Sequence, residues 1–176
     1  MLDQRLVARV ESLEPASLEA TAFRHLAERR HPLSASGARV HGGRWNPPDS
    51  FATLYLALER ETAIAEFYRL VARQRRDPED FLPRRLYRYD VALEAVLDLR
   101  GAAARATIAL DDAELRTADA TACRRVGEAA EHLGLEGLLA PSATGAGTVL
   151  AVFFDRLHAD SRVHEVEYEL WSAVPA

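Results

Sequence analysis

An α+β domain, with a mixed or antiparallel β core and flanking helices, is the fold this sequence predicts. Three observations carry the prediction. Several short segments have strand character, only two longer ones carry clear helical periodicity, and the two kinds do not alternate strictly as a doubly wound sheet requires. A length of 176 residues with 48 % hydrophobic side chains suits a single domain with a sizeable core.

The elements follow in order. Leu2 to Leu18 carries spaced Leu and Val and reads as a helix or extended leader. The expected division is therefore a leader over 1–21 and one domain over 22–176. Ala22 to Leu26 reads as a short strand. His31 to Ser50 is rich in Gly, Pro, Ser and His and has no period, which in a compact domain marks a functional or disordered stretch. Phe51 to Ala57 reads as a buried strand. Glu61 to Gln74 is a helix, with Ile64, Phe67, Tyr68 and Val71 in i, i+3, i+4, i+7 register. A charged loop spans Arg73 to Arg85, followed by strands at Leu86–Val91 and Ala95–Leu99. A second helix is expected over Ala118–Leu133, where Gly134 is a natural stop. Leu138–Ala140, Val149–Phe154 and Val163–Trp171 complete the strands.

Composition excludes several chemistries. All 22 basic residues are Arg, so phosphate-binding loops of Walker type, Schiff-base enzymes and the protein-kinase apparatus are absent. Guanidinium groups still grip phosphate and carboxylate in bidentate fashion. A net charge of −5 is no nucleic-acid footprint. Cys123 is the single cysteine, so neither an intrachain disulfide nor a cysteine-rich zinc site can form. No apolar run approaches the ~20 residues of a membrane span, and the polar Leu2-Asp3-Gln4-Arg5 start is unlike a signal peptide. A cytoplasmic protein is expected, with neither membrane nor direct nucleic-acid contact.

Each candidate site has a plain alternative. In Gly42-Gly43-Arg44-Trp45-Asn46-Pro47-Pro48, the glycines let backbone pass close to a ligand or a neighbouring chain, and Arg44 beside Trp45 suits an anion or a stacked ring. A tight turn with Trp45 plugging the core edge fits the spacing equally well. Glu66 lies roughly opposite its helix's apolar stripe, where a solvated Glu66–Arg69 pair is the simple account; periodicity does not separate a wet face from a cleft wall. Ala140 to Thr148, between two strand signals, offers small hydroxyls and flexible backbone. Its Gly145-x-Gly147 lacks the third glycine of a dinucleotide fingerprint, and a strand rather than a helix follows. Ser142, Asp155 and His164 occur in hydrolase order without the Gly-x-Ser-x-Gly elbow. The six His show no metal-ligand spacing, and His132 reads as a helix-dipole partner. Cys123 reads as a packed thiol. The Arg residues between Arg73 and Arg88 read as a solvated loop, or else as a docking surface for an acidic partner.

Taken together, Phe23-Arg24, Gly42-Gly43-Arg44-Trp45-Asn46, Thr53-Leu54-Tyr55-Leu56-Ala57, Ala63-x-x-Glu66 and Pro141-Ser142 resemble the RES-domain family, in order and spacing over roughly Ala22 to Phe154. The resemblance implies a fold similar to ADP-ribosyltransferases and the toxin half of a toxin–antitoxin pair. It also implies action on NAD with inorganic phosphate as co-substrate, no metal or resident cofactor, and an Xre-type antitoxin as partner. Either a homo-oligomer or a toxin–antitoxin hetero-oligomer fits.

By the same resemblance Arg24, Arg44, Tyr55, Glu66 and Ser142 take the functional positions, with Arg44, Glu66 and Tyr55 catalytic. Cleaving the nicotinamide–ribose bond builds positive charge on the sugar, which a fixed Glu66 carboxylate would stabilise. Arg24 and Arg44 would hold the pyrophosphate, Tyr55 would stack on a ring or orient the ribose, and Ser142 would supply a hydrogen bond. Phosphorolysis leads. Hydrolysis of NAD and protein ADP-ribosylation use the same residues, and a RES-fold binding module without turnover is the alternative from another class.

Overall fold

The computed structural model describes residues 2–176. Its order is α1 (Gln4–Glu11), β1 (Ala16–Ala27), α2 (Ser36–His41), β2 (Thr53–Ala57), α3 (Arg60–Gln74), β3 (Arg84–Asp98), α4 (Ala102–Thr107), α5 (Asp112–Arg116), α6 (Thr121–His132), β4 (Gly137–Pro141), β5 (Thr148–Phe153) and β6 (Arg162–Trp171). The strands form one mixed sheet in the order β1-β2-β5-β4-β3-β6, and β1 also pairs with β3, so five strands close on themselves while β6 extends the edge. Only β3–β4 is parallel.

Side-chain alternation sorts the core into an inside and two outsides. Ala22 and Leu26 of β1, Leu54 and Leu56 of β2, Tyr87, Tyr89 and Val91 of β3, Leu139 of β4, and Leu150 and Val152 of β5 fill the interior. On one outer face α1, α5 and α6 bring Val7, Val10, Leu115, Val126 and Ala130 against Leu138, Ala140, Ala151 and Phe153. On another, α3 sets Ala63, Ile64, Phe67 and Val71 against Ala57, Leu86 and Trp171. Phe67 is fully buried, worth roughly 1.5–3 kcal/mol over an exposed position.

The single α+β domain matches the fold the sequence predicts, and the differences are local. β1 starts at Ala16, six residues before the expected strand, because β3 offers it partners from Val96 to Arg84. The expected division between residues 21 and 22 thus falls inside β1. One 15-residue strand, β3, replaces the two expected at Leu86–Val91 and Ala95–Leu99. The apolar alternation shifts between Leu93 and Val96, and the buried Glu136 carboxylate accepts the Glu94 and Ala95 amides at 2.6 and 2.8 Å, so the chain continues across the irregularity. The expected aperiodic stretch from His31 holds a six-residue helix, α2. α4 and α5 were not expected, although α5 opens on a capping box between Asp111 and Glu114 that the Asp-x-x-Glu spacing encodes.

Candidate active site

Glu66 and Ser142 meet directly. Glu66 stands on α3, and the loop after β4 folds back against the first turn of that helix. Glu59 Oε2 accepts from the Thr62 hydroxyl at 2.8 Å and from the Thr148 amide at 2.9 Å, tying α3 to the start of β5. Gly147, at φ +76°, packs so closely on Thr62 and Glu59 that a side chain there would collide with both. Between these anchors the loop tightens, with Ser142 N donating to Gly147 O and Gly145 N to Ser142 O. The result is a Ser142 hydroxyl, 2 % exposed, that donates to Glu66 Oε1 at 2.8 Å. Arg69 Nη1 reaches Glu66 Oε2 at 3.5 Å, and 27 % of the Glu66 side chain stays open. The i, i+3 pair with Arg69 is thus present on one carboxylate oxygen, and the Ser142 hydroxyl occupies the other.

Tyr55 and Arg44 belong to a second group. Tyr55 and Ala57 point outward from β2, away from Leu54 and Leu56. The Tyr55 hydroxyl donates to Asn46 Oδ1 at 2.7 Å and accepts from Trp45 N at 2.9 Å. Burial pushes this phenol up from its ordinary value. The ring lies against Gly43, where a β-carbon would run into it, so the second glycine serves a neighbouring side chain. Trp45 is 1 % exposed and plugs the core, its carbonyl pressed on Gly127 of α6. Arg44 Nη2 donates to Thr117 O at 2.9 Å and Nη1 to Glu114 O at 3.5 Å, with Cys123 Sγ at 4.0 Å. Among the described residues Arg44 therefore meets carbonyl oxygens and no carboxylate, and its Nε is buried without a partner. Burial pushes the Cys123 thiol up, as suits a packed cysteine. Arg124 was not among the expected residues. Its Nε donates to Gly43 O at 2.9 Å from the first turn of α6, and only its place opposite the glycine pair marks it.

Arg24 stands apart. It shares the inner face of β1 with Ala22 and Leu26 and donates from Nη1 to Pro32 O at 3.2 Å, an oxygen that also accepts from the Tyr89 hydroxyl at 2.8 Å. Burial lowers its pKa. No hydrogen bond joins it to Glu66, Ser142, Tyr55 or Arg44 among the described residues. The hydrolase arrangement is not formed: the Ser142 hydroxyl bonds Glu66 and Thr144, while His164 lies on β6 opposite Asp90.

Chemically, the first group offers an oriented, partly open carboxylate with the Ser142 hydroxyl on one of its oxygens. Such a group can face a developing cation.

These features define a class, a single-domain α+β protein with a closed mixed sheet that presents a helix-borne carboxylate to the loop after β4. The chain belongs to the RES domain family, whose model matches residues 17–173. Two relatives, each named NAD(+) phosphorylase MbcT, come from Mycobacterium bovis and Mycobacterium tuberculosis. Both are 35 % identical over 157 residues, spanning 88 % of this chain and 84 % of their own length. The crystal structure of the M. tuberculosis MbcT–MbcA toxin–antitoxin complex contains a chain similar to this one, with a TM-score of 0.91 and 31 % identity over 98 % of this chain and 94 % of that one. The family resemblance read from the sequence is borne out.

Proposed function

We propose that this chain is an NAD phosphorylase and the toxin half of a toxin–antitoxin pair. The observation that carries the reading is its 35 % identity, across 88 % of its length, to proteins named NAD(+) phosphorylase. In the reaction the bond between C1″ of the ribose and the nicotinamide nitrogen breaks, and its electron pair leaves with neutral nicotinamide. A phosphate oxygen forms the new bond to C1″, giving ADP-ribose phosphate with no change of redox state. Glu66 faces the positive charge that grows on the sugar, and Ser142 holds the carboxylate's orientation. Arg24 and Arg44 bind the phosphates. Tyr55, whose hydroxyl is taken up by Asn46 and Trp45, acts by holding the loop that carries Arg44. NAD and inorganic phosphate are substrates, and an Xre-type antitoxin is the partner. Among the described residues no helix is long and apolar enough to cross a membrane, and we assign the protein to the bacterial cytoplasm.

The test is to incubate the purified chain with NAD, with and without phosphate, and follow products by chromatography and phosphorus NMR. Phosphate-dependent nicotinamide release with ADP-ribose phosphate is the expected result. Free ADP-ribose made without phosphate would replace phosphorolysis by hydrolysis. A lack of nicotinamide release would overturn the reading.

A further inference from the structure

The Ser142 hydroxyl carries one proton and two lone pairs, and it has three partners. Its Oγ stands 2.8 Å from Glu66 Oε1, 2.7 Å from Thr144 Oγ1 and 3.1 Å from the Thr144 amide nitrogen. A carboxylate only accepts and an amide N–H only donates, so atom type settles two of the three bonds. The single Ser142 proton goes to Glu66. In the remaining contact, hydroxyl to hydroxyl, Ser142 is therefore the acceptor and Thr144 the donor.

Thr144 has a second place for its proton. The Ala146 carbonyl lies 3.3 Å from Thr144 Oγ1, beyond the ordinary hydroxyl–oxygen range of about 2.5–3.0 Å, in which the 2.7 Å contact to Ser142 falls. The two choices differ in more than length. A Thr144 proton on Ser142 leads through two hydroxyls to a charge, and each bond of such a chain strengthens the next. A Thr144 proton on Ala146 O would let Ser142 turn its own proton to Thr144 and set a lone pair against Glu66 Oε1. The first arrangement is the one the contacts select.

The bond from the Thr144 amide to Ser142 Oγ is the local turn that a serine makes with the residue two positions on, and it needs no second hydroxyl. The Thr144 hydroxyl adds something the turn does not require. Thr144 is half-buried, and among the described residues its hydroxyl bonds stay within the loop, so it reaches Glu66 through Ser142. Every bonding position of the Ser142 hydroxyl, itself 2 % exposed, is filled from within the protein. The family resemblance gives Ser142 a hydrogen bond to the substrate, whereas these contacts direct it at Glu66.

We propose that Thr144 is a positioning residue of this site: its hydroxyl fixes the direction of the Ser142 proton, and through Ser142 it holds the Glu66 carboxylate in the orientation from which it acts. The proposal rests on the phosphorylase reading for its consequence in turnover, and it adds to that reading a residue outside the family motif.

Thr144→Val keeps the side-chain shape and the amide donor but removes the hydroxyl, and Thr144→Ser returns it. Both are made in the parent chain and in Ser142→Ala. Two quantities are read in each: kcat and KM for nicotinamide release, and the carbon-13 signal of the Glu66 carboxyl, identified by its loss in Glu66→Gln. Thr144→Val is expected to lower kcat about threefold to tenfold, to leave KM for NAD and for phosphate unchanged, and to move the Glu66 signal. Thr144→Ser is expected to reverse both changes. In Ser142→Ala, Thr144→Val should alter neither quantity, because the residue through which it acts is gone. Full kcat or an unmoved signal in Thr144→Val would overturn the proposal, as would a Thr144→Ser variant that restores nothing. Effects of equal size with and without the Ser142 hydroxyl would also overturn it and make Thr144 a prop of the loop. Should Thr144→Val fail to fold, Thr144→Ala reads the same bond. A parent that releases no nicotinamide would remove the phosphorylase reading; the carboxyl signal needs no turnover and then decides by itself whether Thr144 positions Glu66.

Discussion

At the scale of single residues, what matters is whether a polar group is satisfied within the protein or left for a substrate. Tyr55 and Asn46 are satisfied, and so is Ser142, whose proton points into Glu66. Glu66 keeps an open portion, so its charge is the group to remove. Glu66→Gln retains an acceptor for Ser142 while deleting the charge; nicotinamide release is expected to fall by about a hundredfold or more, with circular dichroism and the thermal midpoint near those of the parent. Normal turnover in the folded variant would refute the assignment. His25 predicts a pH effect. Its folded value of about 3 lies below the ordinary 6.5, so between these values the unfolded chain takes up a proton that the folded chain refuses. Stability is full above pH 6.5 and declines as pH falls, by up to about 1.4 kcal/mol per unit. His25→Gln keeps an acceptor for Arg84 and is expected to flatten the fall in thermal midpoint between pH 6.5 and 5. The raised His158, held by Glu94, acts in the opposite sense but is common to both chains. Equal slopes would disprove the account.

At the scale of elements, the site depends on how the loop after β4 seats against α3. Gly147 is the tightest point, with a positive φ and no room for a β-carbon beside Thr62 and Glu59. Gly147→Ala is expected to cost about 1–3 kcal/mol and to lower turnover by displacing Ser142 from Glu66. Thermal unfolding and the nicotinamide assay read the two effects separately, and a stable, fully active variant would show that the loop does not set the pair. Helical spacing revealed α3 and its buried stripe, because Ile64, Phe67 and Val71 face one way whatever lies beneath them. The same spacing was silent on Glu66, since wet faces and cleft walls are both polar. α4 escaped notice because its alanine-rich turn has no amphipathic contrast and rests instead on Arg105, whose acceptors become neighbours only on folding.

At the scale of the whole molecule, the closed sheet places β2 between two chemistries. Its outer side carries Tyr55 and the Arg44 loop, while Arg24 lies on the inner side of β1, which is joined to β2 at a single register pair. A partner covering this end would block both. A saturated complex with the proposed antitoxin is therefore expected to release no nicotinamide in the same assay; full activity in the complex would remove the main support for the toxin–antitoxin reading.

The sequence by itself determined the α+β class, the absence of lysine chemistry, most strand positions and the five motif residues, because composition, periodicity and short motifs are local properties. Tertiary structure decided what those residues touch. It joined Ser142 to Glu66 across 76 positions, tied the Tyr55 hydroxyl to Asn46 and to the Trp45 amide, and buried Trp45 as a plug. It also moved Arg84 from an expected solvated loop into a nearly enclosed site. The physical reason is common to all four. A side chain's burial and partners are set by strand register and by which loop folds onto which helix, and these arise only when distant segments pack.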